Sequence, residues 1–332
     1  MPLRALVAVI VTTVVMLVPR AWADTAWERY KARFMMPDGR IIDTANGNVS
    51  HTEGQGFAML LAVANNDRPA FDKLWQWTDN TLRNKSNGLF YWRYNPVAPD
   101  PIADKNNASD GDTLIAWALL RAQKQWQDKR YAIASDAITA ALLKSTVVTF
   151  AGRQVMLPGV KGFNLNDHLN LNPSYFIFPA RRASRSGRIS PPGGHCRATD
   201  RRCWGRWAGE ITSTQRLGGA AGGWQDAASQ RVAAADEFRC DPYPAVSLVG
   251  RSAQRLARAP KARMQSYPRL QTPAWINVST NEVAPRYMAG GLLAVRDLTL
   301  GEPQEAPQID DKDDYYSASL KLLVWLAKQD QR

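Results

Sequence analysis

The sequence predicts an all-α fold, a toroid of αα-hairpins. Three observations predict it. Apolar segments that read as buried on every side alternate with amphipathic segments at helical spacing, strand signals are few, and acidic residues stand just ahead of the apolar segments. Helices hydrophobic all round, each covered by an amphipathic partner, suit a ring of hairpins better than a flat bundle, and the pattern alone does not fix how many hairpins there are.

The chain opens with Arg4, an apolar stretch from Leu6 to Val18, and Ala21-Trp22-Ala23. That order fits a cleaved signal peptide over residues 1–23, with the mature protein starting near Asp24. The apolar run falls short of the roughly 18 to 20 residues that span a bilayer, so a membrane anchor is the weaker reading. The expectation is an exported protein, secreted or periplasmic, with residues 24–332 as one catalytic domain.

The first hairpin is read in His51-Thr-Glu-Gly-Gln-Gly-Phe57, running into the apolar Phe57–Ala64, followed by Arg68–Arg83. In the latter Phe71, Leu74, Trp75, Thr78 and Leu82 recur at helical spacing. Glu53 sits at the opening of the apolar helix, and the glycines beside it leave room for something to approach. Gly88–Tyr94 alternates well enough for a short hairpin arm. A second pair follows in Leu114–Trp126 with Ala132–Leu143, and a third, read in the same buried-then-amphipathic order, in Met288–Leu298 with Ser317–Lys328.

Residues 108–126 place Asp110 and Asp112 at the mouth of the second apolar helix. In a toroid the inner-helix N-termini share one face, so Glu53 and Asp110 belong to one site. Helix capping is the plain alternative for Asp110 or Ser109. Paired carboxyl groups at one face are the parts of which carbohydrate-cleaving sites are made.

The window 181–263 breaks the pattern. It holds 16 of the 42 Lys and Arg residues and 6 of the 30 Asp and Glu, a local charge of +10 against +2 for everything else. That concentration argues against reading the net charge of +12 as a nucleic-acid-binding surface. All three cysteines, Cys196, Cys203 and Cys240, lie there, and their spacing matches no common zinc pattern. A basic insert, a small metal-binding insert and a stretch read in the wrong frame are the three candidates. The third has a test in the genetic code: Asp236–Ala245 can be encoded so that a one-base shift reads Met-Ser-Phe-Asp-Ala-Ile-Arg-Ile-Pro-Leu. The expectation is a frameshift over about 181–263.

Residues 108–126 and the segment around Glu53 resemble glycoside hydrolase family 8, in particular its endoglucanases encoded with bacterial cellulose synthase. The resemblance covers residues 1–180 and 264–332. It implies an (α/α)6 barrel, β-1,4-glucan as substrate, hydrolysis with inversion, no cofactor or metal, and a functional link to a cellulose synthase complex. Carried over by position, Glu53 corresponds to the general acid and Asp110 to the aspartate that holds the sugar and the attacking water. The resemblance also implies a general base from a Ser-Phe-Asp-Ala segment. The sequence lacks that segment as written, and the shifted reading restores it.

A glucan cleft needs aromatic platforms for the apolar faces of sugar rings. Tyr91, Trp92, Tyr94 and Tyr175 are the candidates for binding substrate, with Asp112 beside them, whereas Trp75 reads as core and Trp77 and Trp117 stay open. His51, His168 and the asparagines between Asn164 and Asn172 are candidates for bonding hydroxyls. A hydrolase of a related β-glycan such as chitosan or xylan, and a catalytically impaired glucan-binding protein, are the alternative functions.

Overall fold

The computed structural model describes residues 26–150, 153–165, 169, 170, 172, 175, 177, 258–276 and 282–330. The signal segment, His168 and the window up to residue 257 lie outside the described residues, as does the expected general-base segment. What is described is helical, with two small two-stranded sheets.

Helical residues 26–34 (α1) come first, then strand β1, Ser50–His51, leading into α2, Thr52–Ala64, and α3, Arg68–Leu82. Strand β2, Arg93–Tyr94, precedes α4, Ser109–Trp126, and α5, Lys129–Ser145. A hairpin of β3, Val147–Phe150, and β4, Arg153–Met156, follows. The C-terminal part holds α6, Arg258–Gln265, α7, Gly290–Leu300, and α8, Tyr315–Gln329.

Local chemistry sets the ends of these helices. Asp67 caps α3 by accepting from the Ala70 amide, Asp128 caps α5, and Asp314 caps α8. Gln127 and Gly301, both left-handed, close α4 and α7. The apolar run in α2 is buried from Phe57 through Val63, as its lack of a polar face requires. On α3 only one stripe, Ala70, Phe71, Leu74, Trp77, Thr78 and Leu82, turns inward.

The packing is that of paired helices. Helix α2 packs on α4 and on α3, α4 packs on α5, and α8 joins α2 from the other side. Helices α4, α2 and α8 thus stand side by side, with their N-terminal ends together: Gly111 meets Thr52, Gly56 meets Leu114, and Gly54 meets Tyr315. Helix α1 covers this row with Trp27, Tyr30 and Phe34, the Tyr30 hydroxyl bonded to Ser319 Oγ at 3.0 Å and Phe34 edge-on to Tyr315.

Three expectations change. The third pair is reversed, because α8 and not α7 lies against α2, while α7 buries Arg296 and Asp297 in an ion pair that Arg269 shares. The arm Gly88–Tyr94 is not one strand: Phe90 makes a single bridge to Arg83, and only Arg93 and Tyr94 pair, with His51 and Ser50. Helix α6 begins at Arg258, inside the anomalous window. Its Arg, Ala and Lys residues favour helix without an apolar period, so periodicity is blind to it.

Candidate active site

Two helix openings build the site. Helix α2 has His51 as its N-cap and α4 has Ala108, and neither helix is capped by a side chain. Capping therefore does not explain the acidic residues. Glu53 and Asp110 take the same place, the second residue of their helices, and the helix dipole acts on both alike. An ideal Cβ on Gly111 would lie 2.9 Å from the Glu53 amide nitrogen and 2.6 Å from Thr52 Cβ. Only glycine lets the two first turns come so close. The glycines beside Glu53 do admit something, but it is protein: Leu114 fills the space over Gly56 and Tyr315 the space over Gly54.

Glu53 is half-buried and Asp110 is 3% exposed, with its Oδ1 accepting from the Gly111 amide at 2.7 Å. The two thus differ in exposure: Glu53 keeps part of its surface toward solvent and Asp110 almost none. Tyr315, at the mouth of α8, closes the group. Burial first, and then the neighbouring Glu53, hold its phenol well above its usual range, so it is a neutral hydroxyl. Among the described residues that hydroxyl has no hydrogen-bond partner, and neither does Thr52 Oγ1.

Asp112 does not line the site as a substrate contact. It is fully buried; its Oδ1 accepts from the Phe90 amide at 2.9 Å and its Oδ2 from Asn107 Nδ2 at 2.7 Å. Burial pushes its carboxyl up to about 7, with the Asp110 charge adding to the shift and these two bonds opposing it. Its position ties α4 to the loop that carries the aromatic run.

That run is stitched to the Glu53 segment. The Thr52 amide donates to Trp92 O at 3.0 Å, and β1 pairs with β2 antiparallel. Trp92 stacks on His51 at 5.8 Å between ring centres and donates Nε1–H to Asp104. Burial and the Arg93 charge lower His51 to about 4, so the imidazole is neutral and its 3.9 Å approach to Asp43 is not an ion pair near neutral pH. Tyr91 faces a polar cleft. Tyr94 instead turns to the core, edge-on to Trp77 at 5.5 Å with Arg40 over its ring. Trp75 is half-buried on the core, and Trp77 and Trp117 are buried in it. Tyr175 is half-buried, its amide bonded to Asn172 O at 3.1 Å.

Sequence reasoning missed Tyr315 and Gln55. Gln55 is fully buried, accepts from the Ile41 amide at 2.7 Å and donates to Thr78 Oγ1 at 2.9 Å and Gly39 O at 3.2 Å. A glutamine opening an otherwise apolar helix was the available signal for it. Nothing local marked Tyr315, because its importance comes from α8 lying against α2.

Comparison with known proteins gives one answer. The family model for glycosyl hydrolases family 8 matches residues 1–191 and 217–330, so the match resumes inside the basic window. An endoglucanase of Cellulomonas uda is 72% identical over 317 residues, covering 92% of this chain and 85% of that protein. The crystal structure of a family 8 endoglucanase from Klebsiella pneumoniae superposes with a TM-score of 0.79 at 72% identity, covering 93% of this chain and all of that one. An endo-β-1,4-glucanase from Acetobacter xylinum superposes with a TM-score of 0.76 at 29% identity, over 94% of this chain and 99% of its own. The fold is the (α/α)6 barrel.

Proposed function

The chain belongs to glycosyl hydrolases family 8, and from that premise we propose that it cuts internal β-1,4 bonds of cellulose-type glucans with inversion at the anomeric carbon. It is a glycoside hydrolase of the endoglucanase kind. The observation that carries the mechanism is the glycine-mediated contact of α2 and α4, which sets Glu53 and Asp110 side by side at one end of the barrel.

In this reading Glu53 donates its proton to the leaving oxygen, since it is the less buried of the two residues. Asp110, held by its own helix turn, binds the sugar and the attacking water. An inverting reaction needs a carboxylate on the far side of the sugar, about 6.5 to 9.5 Å from the acid, to admit that water. The base belongs to the segment that the shifted frame restores. Trp92 on its His51 support and Tyr91 supply flat apolar faces for sugar rings. Tyr175 is a further candidate platform by its residue type. Export of a single catalytic domain over 24–332, and service to a cellulose-producing system, complete the proposal.

Glu53→Gln tests the assignment. Reducing-end release from a soluble β-glucan should vanish while cello-oligosaccharide binding, read by calorimetry, persists. Undiminished turnover would overturn it. A second reading, a glucan-binding protein with impaired catalysis, is favoured by one observation: no Ser-Phe-Asp-Ala segment stands in the sequence. Resequencing the gene decides between them, because the first reading expects the shifted frame and the second an intact Arg-rich one.

A further inference from the structure

A polar cleft of about 600 Å³ lies on the loops joining α3 to α4 and following β4. Helix α3 ends and α4 begins on the end of the barrel that bears Glu53 and Asp110, so the cleft opens on that same end. Arg83, Lys85, Lys105 and Lys161 line it together with Tyr91 and Asn107, and no carboxylate is among the described residues that line it. Four cations around one space are unusual in a chain whose net charge outside residues 181–263 is only +2.

The cations are not equivalent. Arg83 is committed to Asp79 and to Gly88 O, and Lys105 to Asp100 at 3.0 Å, with its ammonium 5.8 Å from the centre of the Tyr91 ring. Lys85 and Lys161 make no ion pair among the described residues. The Lys161 amide donates to Asn106 Oδ1 at 3.1 Å, which fixes the loop that carries it. Asn107 anchors the floor, accepting from the Val160 amide at 2.8 Å and donating to Asp112. The cleft is therefore bolted to the first turn of α4, where Asp110 stands.

We propose that this cleft binds the carboxylate of an acidic, carboxyl-substituted β-glucan while the neighbouring stretch of the chain lies over Glu53 and Asp110. The proposal rests on the endoglucanase reading and adds a preference to it. Neutral hydroxyls are satisfied by the asparagines and the Tyr91 face; two uncommitted ammonium groups have no task on a neutral chain. A carboxylate beside them gains attraction without displacing an existing acidic partner.

The test compares the full chain with the Lys85→Gln/Lys161→Gln double variant on carboxymethylcellulose and on neutral hydroxyethylcellulose. At low ionic strength, where the screening length is about 30 Å, KM for the carboxymethylated polymer should rise about three- to tenfold, with kcat and the neutral substrate unchanged. Near 1 M salt, where that length is about 3 Å, the wild type should lose the same advantage. Equal behaviour of variant and wild type on the acidic polymer, or equal losses on both polymers, would overturn the proposal. Retardation in gels containing each polymer reads binding without turnover. Selective loss of retardation on the acidic gel upholds the cleft even if neither polymer is cut, the outcome that would defeat the endoglucanase reading instead.

Discussion

Replacing Gly111 by alanine should disarm the enzyme while leaving it folded. The new Cβ would sit 2.6 Å from Thr52 Cβ and 2.9 Å from the Glu53 amide nitrogen, with Thr52 Oγ1 nearer still. Packed heavy atoms stay about 3.5 to 4.0 Å apart, so the first turns of α2 and α4 must separate by about 1 Å. The Glu53 amide is backbone and cannot swing aside, and the displacement passes directly to the Glu53 side chain. Overpacking of this kind costs about 1 to 3 kcal/mol, and replacing a helical glycine by alanine returns up to about 1 kcal/mol. The net loss of stability is therefore small, on the order of 1 kcal/mol, or a few degrees in Tm. Catalysis takes the larger loss, because misplacing a reacting group by about 1 Å costs about 100-fold. Initial rates of reducing-end release over a concentration series, paired with thermal unfolding, measure both. A control at Gly301, which has no atom within 4 Å of its added Cβ, should lose some stability to its positive φ and keep its kcat. A folded Gly111→Ala enzyme with kcat within about threefold of wild type would refute the argument that glycine contact sets the carboxyl pair.

Thr52 Oγ1 is a buried hydroxyl with no partner among the described residues, so Thr52→Val should raise stability by about 1 kcal/mol, and a loss of stability in denaturant titration would contradict this. Gln55→Leu strips the buried Ile41 amide and Gly39 carbonyl of their partners and should cost about 3 kcal/mol in the same measurement. The Asp112 carboxyl, pushed up to about 7 in the fold, keeps its proton over a range where the unfolded chain has released it. Stability should therefore fall as pH rises from about 4 to about 7, by up to about 4 kcal/mol from this group, and then level off. Asp112→Ala should be less stable throughout, but the difference between variant and wild type should narrow over that pH window; a constant difference would show that Asp112 does not titrate there.

Helices were legible where an apolar period survives in the sequence. The runs from Phe57, Arg68 and Leu114 all lie in the helices expected of them. The row α4, α2, α8 was not legible, because which helix becomes an inner one depends on neighbours far along the chain. Hence the reversed order of the last pair and the late appearance of Tyr315. The acidic residues at two helix mouths were readable as a pair, and the glycines that bring them together were readable only as open space. Asp112 misled because a carboxylate two residues from Asp110 looks like a ligand group in one dimension; in three it faces the Phe90 loop. Helix α1 escaped notice beside the apolar leader, although Trp27, Tyr30 and Phe34 keep one face.

The bond between Tyr30 and Ser319 joins groups 289 residues apart, and Arg33 reaches the Asp310 and Asp313 carbonyls across a similar span. The aromatic lid of α1 thus waits on a helix near the other end of the polypeptide. A ribosome must have released residue 319 before that seam can close, so the nascent chain carries an exposed aromatic flank through most of its synthesis.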